Sequence, residues 1–489
     1  MINKRLDIQD TKERTGWAYP EMKWLLEKEA KEANQKRNEL LQSISGSVNG
    51  NFWGNKMCSG HLSPGCMICG QGTWSCLIIG SLCTAKCFFC PQDRRITKDQ
   101  QPTESGILFD NPEDYVDYLD KFKFKGVGFS GGEPLLKFEK IIAYIRKIRE
   151  RLGKGIYLWI YTNGDLIDKN KLIILKEAGL NEIRLDIAAR EYDLQAVELS
   201  SGIIDKVTVE IPAIPEDYEI LKKCLPQMQA IGVAHLNLHQ LFTSPYCYKQ
   251  FINRQYTFLH QPEIAILESE MTALRLIKYN LDNNIGLAIN YCSAIYKHRL
   301  QKKGYRERYQ SFIKEEHEGL TESGFIRRLA IQDTPVNIKK LVKKFQDNKC
   351  HDSLWFFKKN SPELFVHHSL LKYVDLNKHD LILTYFAPQL TAARDEEHES
   401  FKEIVLNSDR TVFVGSKLVY QTKIKNSATI NSFQELFIEK MNNGDVFKKF
   451  YQNYKLKTKA DIDDMMNEKG RLDYLKIWEF IGSGPYEIY

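Results

Sequence analysis

Seven of the eleven cysteines fall at positions 58, 66, 69, 76, 83, 87 and 90. Thiols packed into one stretch of a long chain point to metal binding, not to the evenly spread disulfides of a small secreted domain. The last three, Cys83, Cys87 and Cys90, read C-x3-C-x2-C within GSLCTAKCFFCPQ. Three thiolates on a short loop can hold three irons of a [4Fe–4S] cube and leave the fourth iron open to a ligand. A structural zinc site ordinarily needs a fourth protein ligand. Membership of one larger zinc or iron knot is the plain alternative for the trio. The first four, Cys58, Cys66, Cys69 and Cys76, form a complete set spaced C-x7-C-x2-C-x6-C. Four thiolates suit a fully ligated auxiliary [4Fe–4S] cluster, the preferred reading, or a closed zinc site, with His61 able to replace one thiolate. Partly free thiols are the third option. The isolated Cys224, Cys247 and Cys350 read as structural.

These residues need elements to position them. From about residue 73, short apolar runs alternate with segments of helical spacing. The strand candidates are 74–80, 126–130, 156–162, 182–188, 206–212 and 235–241, followed after a helix at 262–284 by 286–291. Helices are expected at 137–152, 168–178 and 216–231. Repeated βα units imply a parallel sheet with right-handed crossovers, and six or seven of them a partial or full barrel. Catalytic groups then gather on loops after the carboxyl ends of the strands. The cysteine trio follows the first strand candidate, and FSGGEPL at 129–135 ends the second. Gly131 and Gly132 let backbone approach a ligand closely. Glu133, ahead of Pro134, offers a carboxylate to an amino group. A simple turn is the alternative for this segment taken alone.

C-x3-C-x2-C after one strand and GGEP after the next together resemble the radical S-adenosylmethionine (SAM) superfamily, over about residues 73–245 and extending toward 291. SPGC ahead of the trio and NYCSAIYKHR around Cys292 resemble superfamily members related to pyruvate formate-lyase activating enzyme. The resemblance implies an α/β fold with a partial (β/α)6-type barrel. It implies a [4Fe–4S] cluster on Cys83, Cys87 and Cys90 whose open iron binds the amino and carboxylate groups of SAM. Gly131, Gly132, Glu133 and Pro134 would line the methionine, and Phe89 would pack near the adenine. An electron from a donor such as flavodoxin or ferredoxin would cleave SAM to methionine and a 5′-deoxyadenosyl radical that abstracts hydrogen from a C–H bond.

Other strand ends supply further candidates. Asn163 ends the third strand and is expected to face SAM. Arg184 and Asp186 alternate with apolar residues in the fourth and would share a face; SAM carboxylate or ribose is their expected partner, an internal ion pair the alternative. Glu210 lies in the otherwise apolar fifth strand, where an acid is costly unless paired or ligand-bound, edge exposure being the alternative. His239 ends the sixth strand, where a structural role is the alternative to a catalytic one. Cys292 follows the seventh as a hydrogen donor or ligand, although free cysteines are more often small buried hydrophobes. Cys292, Arg184 and His239 are the catalytic candidates; Asn163, Asp186 and Glu210 are cofactor contacts.

The expected organisation is an N-terminal helical extension over 1–50, with a helix at 18–42, and a cysteine-rich auxiliary metal region over 51–80 that enters the barrel. The radical SAM barrel covers 73–300, a basic helical connector 301–349 and a C-terminal α+β domain 350–489. In the last, 353–420 alternates like strands and 431–480 reads as helix. The charge balance, 69 basic against 63 acidic residues, gives +6, weak evidence for nucleic acid. No run approaches the roughly 18 apolar residues of a membrane span. The polar start lacks the apolar centre of a signal peptide, so a cytoplasmic enzyme is expected. A peptide or protein substrate is preferred, because strand-like runs in the C-terminal region could recognise an extended peptide by edge pairing. A small metabolite, or activation of a glycyl-radical enzyme, is the alternative. A non-catalytic zinc- or iron-binding adaptor is the reading from another class, but it needs neither GGEP nor the βα series.

Overall fold

In a computed structural model of the chain, the described residues are 11–52, 56–93, 98–260, 264–357, 361–424, 433, 475 and 478–481. They divide into two compact units. The first runs to Lys302 and takes in Leu406–Arg410; the second holds Lys303–Val405 and continues from Thr411.

The first unit is built on parallel strands in chain order. These are β2 (Trp74–Gly80), β3 (Gly126–Gly131), β4 (Tyr157–Thr162), β5 (Glu182–Leu185), β6 (Lys206–Pro212), β7 (His235–His239) and β8 (Ile289–Cys292). Each pairs in parallel with the next, so the order never reverses. Unreversed order is the topology of a barrel wall, not of a doubly wound sheet. At the β8 edge the sheet continues antiparallel through β1 (Lys56–Cys58) and the strand Asn49–Asn51. Helices cover one face: α3 (Phe138–Leu152), α4 (Lys169–Ala178), α5 (Tyr218–Ala230) and α6 (Leu267–Asp282). The α3 helix buries Ile141, Tyr144, Ile145 and Ile148, the three-and-four spacing of one helical stripe. Asp168 caps α4 by accepting from Lys171 N at 2.8 Å, and Gly179 ends it at φ +106°, a conformation that favours glycine. A short helix, α2 (Pro64–Gly70), is capped by Ser63, which accepts from Cys66 N at 3.1 Å.

Several elements differ from the sequence reading. The helix expected at 18–42 is α1 (Glu27–Ile44); ahead of it, Gly16–Glu21 form a 3-10 turn around Pro20, and Lys23–Trp24 pair in parallel with Thr257 and Phe258. Strand pairing by a distant segment overrides the local helical pattern there. In the second unit, α7 (Lys302–Ile313) fits the basic helical pattern, but β9 (Ile326–Gln332) does not. That strand lies inside an antiparallel sheet. The other strands of that sheet are β10 (Trp355–Phe357), β11 (Glu363–Val366), β12 (Asp380–Thr391), β13 (His398–Val405) and β14 (Thr411–Ile424), in the order β10–β11–β9–β12–β14–β13. The helix α8 (Pro335–Asp347) packs Ile338, Leu341 and Phe345 into the same core as Leu364, Val366 and Leu383. The helical pattern at 431–480 lies almost wholly outside the described residues.

Candidate active site

Cys83, Cys87 and Cys90 lie on the loop that leaves β2. Main-chain atoms at the end of β3 clamp its start: Gly132 N donates to Gly80 O at 3.0 Å and Glu133 N to Leu82 O at 2.7 Å. Gly131 has φ +135°, and a Cβ there would sit 2.2 Å from Gly80 O. A Cβ on Gly132 would sit 2.0 Å from Leu82 O. The paired glycines are therefore required by the approach of β3 to the cysteine loop itself.

Glu133 is 2% exposed. Its carboxylate accepts from Leu135 N at 3.0 Å, Asn163 N at 2.9 Å and Thr162 Oγ1 at 2.8 Å. The group expected to receive a ligand's amino group thus already accepts three internal hydrogen bonds and ties the end of β3 to the end of β4. Burial raises its pKa in spite of them. Asn163 Nδ2 donates to Thr84 Oγ1 at 2.9 Å and lies 3.8 Å from Cys83 Sγ. Asp99 fixes the other side of the loop, accepting from Ser81 N at 2.9 Å and pairing with Lys137 at 2.7 Å. Pro134 opens a 3-10 turn after the clamp. Phe89 packs edge-on against Phe88, with ring centroids 5.3 Å apart, beside a cluster that includes Tyr248 and Phe251.

The donor set suits an iron–sulfur cube with one open iron. Cys83 is exposed, while Cys87 and Cys90 are half-buried. Burial raises the Cys83 thiol, and the Ala85 N–H and Asn163 amide beside it act in the opposite sense. As they stand, no three His, Cys, Asp or Glu side chains among the described residues are close enough to hold a metal ion. The trio would have to turn its thiols together on the loop to share a cluster.

The sheet face away from the helices carries the remaining candidates. In-register residues of parallel neighbours share a face. One row runs Tyr161, Arg184, Thr208 and His235; the next Glu210, Asn237 and Asn290; the last Pro212, His239 and Cys292, with Lys56 of β1 opposite Cys292. Arg184 is 3% exposed. It donates to Glu182 Oε1 and Glu210 Oε2, each at 2.8 Å, and to Ser63 Oγ at 3.1 Å. Its ion pairs are thus with two glutamates. Asp186 follows the end of β5 and accepts from Ala188 N at 3.1 Å; burial pushes its carboxyl up to about 7.

Glu210 also accepts from Asn237 Nδ2 at 2.9 Å and is paired with His239 Nε2 at 2.6 Å. Burial would raise its pKa, but Arg184 and then His239 outweigh that and hold the carboxyl well below the usual range. Burial pushes the His239 imidazole down to about 4, with Lys297 adding to the effect.

Cys58, Cys66, Cys69, Cys76 and Cys292 lie buried or half-buried on regular elements. Cys66 and Cys69 sit on α2. Asn237 Nδ2 donates to Cys66 Sγ at 3.3 Å, and Gln301 Nε2 to Cys69 Sγ at 3.0 Å. Burial pushes Cys58 on β1 and Cys76 on β2 up to about 12, and Cys292 to about 11. Cys58, Cys66, Cys69 and Cys76 are not gathered into a metal-holding group. His61 lies against another imidazole, its ring 5.1 Å from that of His235. Sequence reasoning missed Lys56, Glu182, Asn237 and Asn290. The available signal was a polar residue at alternate positions of an otherwise apolar run, as in HLNLH and INYC.

The family model described as Radical SAM superfamily matches residues 77–197. A protein of Methanocaldococcus jannaschii, provisionally named a glycyl-radical enzyme activating enzyme, is 29% identical over 303 residues, covering 59% of this chain and 78% of its own. Streptococcus suis SuiB bound to S-adenosylmethionine aligns at 15% identity and TM-score 0.33, over 45% of this chain and 50% of its own. Methylornithine synthase aligns at 15% identity and TM-score 0.31, over 45% of this chain and 71% of its own. No helix among the described residues is long and apolar enough to cross a membrane. A [4Fe–4S] cluster and SAM are the cofactors that the family match implies. The matched segment contains the cysteine loop, the glycine clamp and the ends of β2 to β4, and on that agreement of motif and family model the chain carries a radical SAM domain over residues 77–197, the domain of an enzyme.

Proposed function

We propose that this enzyme reductively cleaves SAM at a [4Fe–4S] cluster held by Cys83, Cys87 and Cys90 and removes hydrogen from a C–H bond of a protein or peptide. The observation that carries the reading is the main-chain clamp of Gly131–Gly132–Glu133 on the cysteine loop, with Asn163 reaching the same loop from β4. When bound, the cluster and SAM supply the electron transfer and the 5′-deoxyadenosyl radical that attacks the C–H bond. The chain's own residues do the positioning. The three thiols ligate iron, and Asn163 orients the loop beside Cys83. Glu133 acts by fixing two strand ends against each other. Gly131, Gly132 and Pro134 border the methionine, Phe89 the adenine, and Asp186 the ribose. His239 and Cys292 end adjacent strands and are in register, so both face the substrate side of the same rim.

The relative's provisional name favours one form of this reading, in which the attacked C–H is a glycine Cα of a partner enzyme. The edge strand β13, with one side unpaired among the described residues, supports recognition of an extended peptide. A low-potential donor such as flavodoxin or ferredoxin is the proposed electron source. Cys58, Cys66, Cys69 and Cys76, which as they stand form no metal-holding group, are proposed to hold an auxiliary cluster or zinc once their thiols turn together.

The test compares the wild type with the C83A/C87A/C90A variant under anaerobic, reducing conditions. 5′-Deoxyadenosine should form only in the wild type, with secondary structure retained in both; its formation by the variant would overturn the assignment. Metal analysis of the wild type should give about eight irons for two cubes, or about four with one zinc. A glycyl radical seen by electron paramagnetic resonance on a partner protein would establish activation.

A further inference from the structure

The polar rows inside the first unit contain one arrangement that cofactor binding does not explain. Glu210 is fixed from three sides, by Arg184 at 2.8 Å, Asn237 at 2.9 Å and His239 at 2.6 Å. Arg184 is itself fixed by Glu182 and Ser63. A carboxylate held by an arginine accepts from the nearest imidazole nitrogen, so His239 carries its proton on Nε2. The second ring nitrogen is then an acceptor. Nδ1 of His239 is shielded from solvent and has no hydrogen-bond partner among the described residues. A buried acceptor without a partner is costly, and a native site normally satisfies it. Lys297 and Lys56 both disfavour a second proton on the ring. The residue ends β7, in register with Cys292 at the end of β8, on the side where radical attack is proposed.

We infer that the Arg184–Glu210–His239 chain presents Nδ1 of His239 as the acceptor for a hydrogen-bond donor of the substrate, a hydroxyl, amide N–H or ammonium near the C–H under attack. This rests on the proposed radical reading for its substrate and on the hydrogen-bond geometry for the tautomer. The role suits a peptide amide and excludes a purely hydrocarbon target. His239 binds the substrate, while Glu210 and Arg184 are positioning residues that act through it. No proton need be transferred, because the imidazole accepts a hydrogen bond and keeps Nε2–H on Glu210.

The test uses the full chain with its cluster reconstituted in the oxidised state and its histidine rings labelled with nitrogen-15. His239→Gln identifies the resonances by their disappearance; if it does not fold, E210D marks them by a shift. The wild type should show Nε2 protonated and Nδ1 unprotonated at neutral pH. N-methylacetamide, which has one N–H, should move the Nδ1 resonance saturably and at least about threefold more than N,N-dimethylacetamide, which has none. In E210Q the side-chain amide can donate to Nε2, so the proton should move to Nδ1 and the N-methylacetamide effect should vanish. A protonated Nδ1 in the wild type, or no difference between the two amides, would overturn the inference. 5′-Deoxyadenosine formation, measured on the same preparation, separates the two claims: its absence defeats the radical reading, while the nitrogen shifts decide the role of His239.

Discussion

The first unit carries two sets of cysteines, and they are held in opposite ways. Cys83, Cys87 and Cys90 lie on an irregular loop, partly open to solvent, pinned by main-chain atoms from neighbouring strand ends. Cys58, Cys66, Cys69, Cys76 and Cys292 lie on strands and a helix, in a buried or half-buried polar interior. There burial keeps Cys58, Cys76 and Cys292 protonated up to about 11 or 12. A thiol that must bind an exchangeable partner needs access and a fixed backbone. A thiol inside a packed sheet has fixed geometry already, and access is what it lacks. The loop set depends on backbone geometry, the interior set on side-chain hydrogen bonds, so different substitutions should disable each.

The largest effect is expected at the clamp. Gly132→Ala places a methyl where Leu82 O now lies, so the loop must separate from β3. Cluster content and 5′-deoxyadenosine formation should fall by about a hundredfold or more, as expected when reacting groups lose alignment. The unfolding midpoint in urea should move far less. A variant with normal iron content and normal SAM cleavage would break the comparison.

The interior should respond the other way. Arg184→Met leaves Glu182 and Glu210 buried without their cation, and removing one partner of a buried pair costs about 3–5 kcal/mol. Urea unfolding measures this directly. Little change in stability would mean that water reaches the glutamates, and the interior would not be the closed network described above.

A smaller effect separates the strand-end rim from both. The Asp186 carboxyl is raised from its ordinary 3.8 to about 7 in the folded chain. Because the folded value is the higher one, its contribution to stability is complete below about pH 4 and is lost as pH rises to about 7. Asp186→Asn should remove that slope, a difference on the order of 2–4 kcal/mol across the window. Thermal unfolding at several pH values checks it, and an unchanged slope would assign the titration to another group.

The sequence displayed the parallel strands well, because each is a short buried run bounded by turns and most of its residues fall on a covered face. It displayed the cysteine trio and GGEP equally well, because their meaning lies in local spacing. The partners of the polar strand residues were hidden. Arg184 and Asp186 are two apart and invite pairing, yet Arg184 reaches Glu182 on its own strand and Glu210 on the next. Register between strands decides this, and register is a tertiary property. The same holds for Lys23 and Trp24, whose strand partner lies more than two hundred residues away. Gly131 and Gly132 were legible as a close approach, but what they approach was not.

The clamp on the cysteine loop uses no side chain of Leu82, because the atom that binds Glu133 N is its carbonyl oxygen. The residue is 38% exposed, next in sequence to the outermost thiol. Residue 82 can therefore be recoded without disturbing the clamp's hydrogen bond. A protein engineer could vary it through charged, aromatic and small residues to change the surface bordering Cys83 while the thiol keeps its place. The two glycines opposite offer no such freedom, which makes them the fixed letters of the motif and Leu82 a variable one.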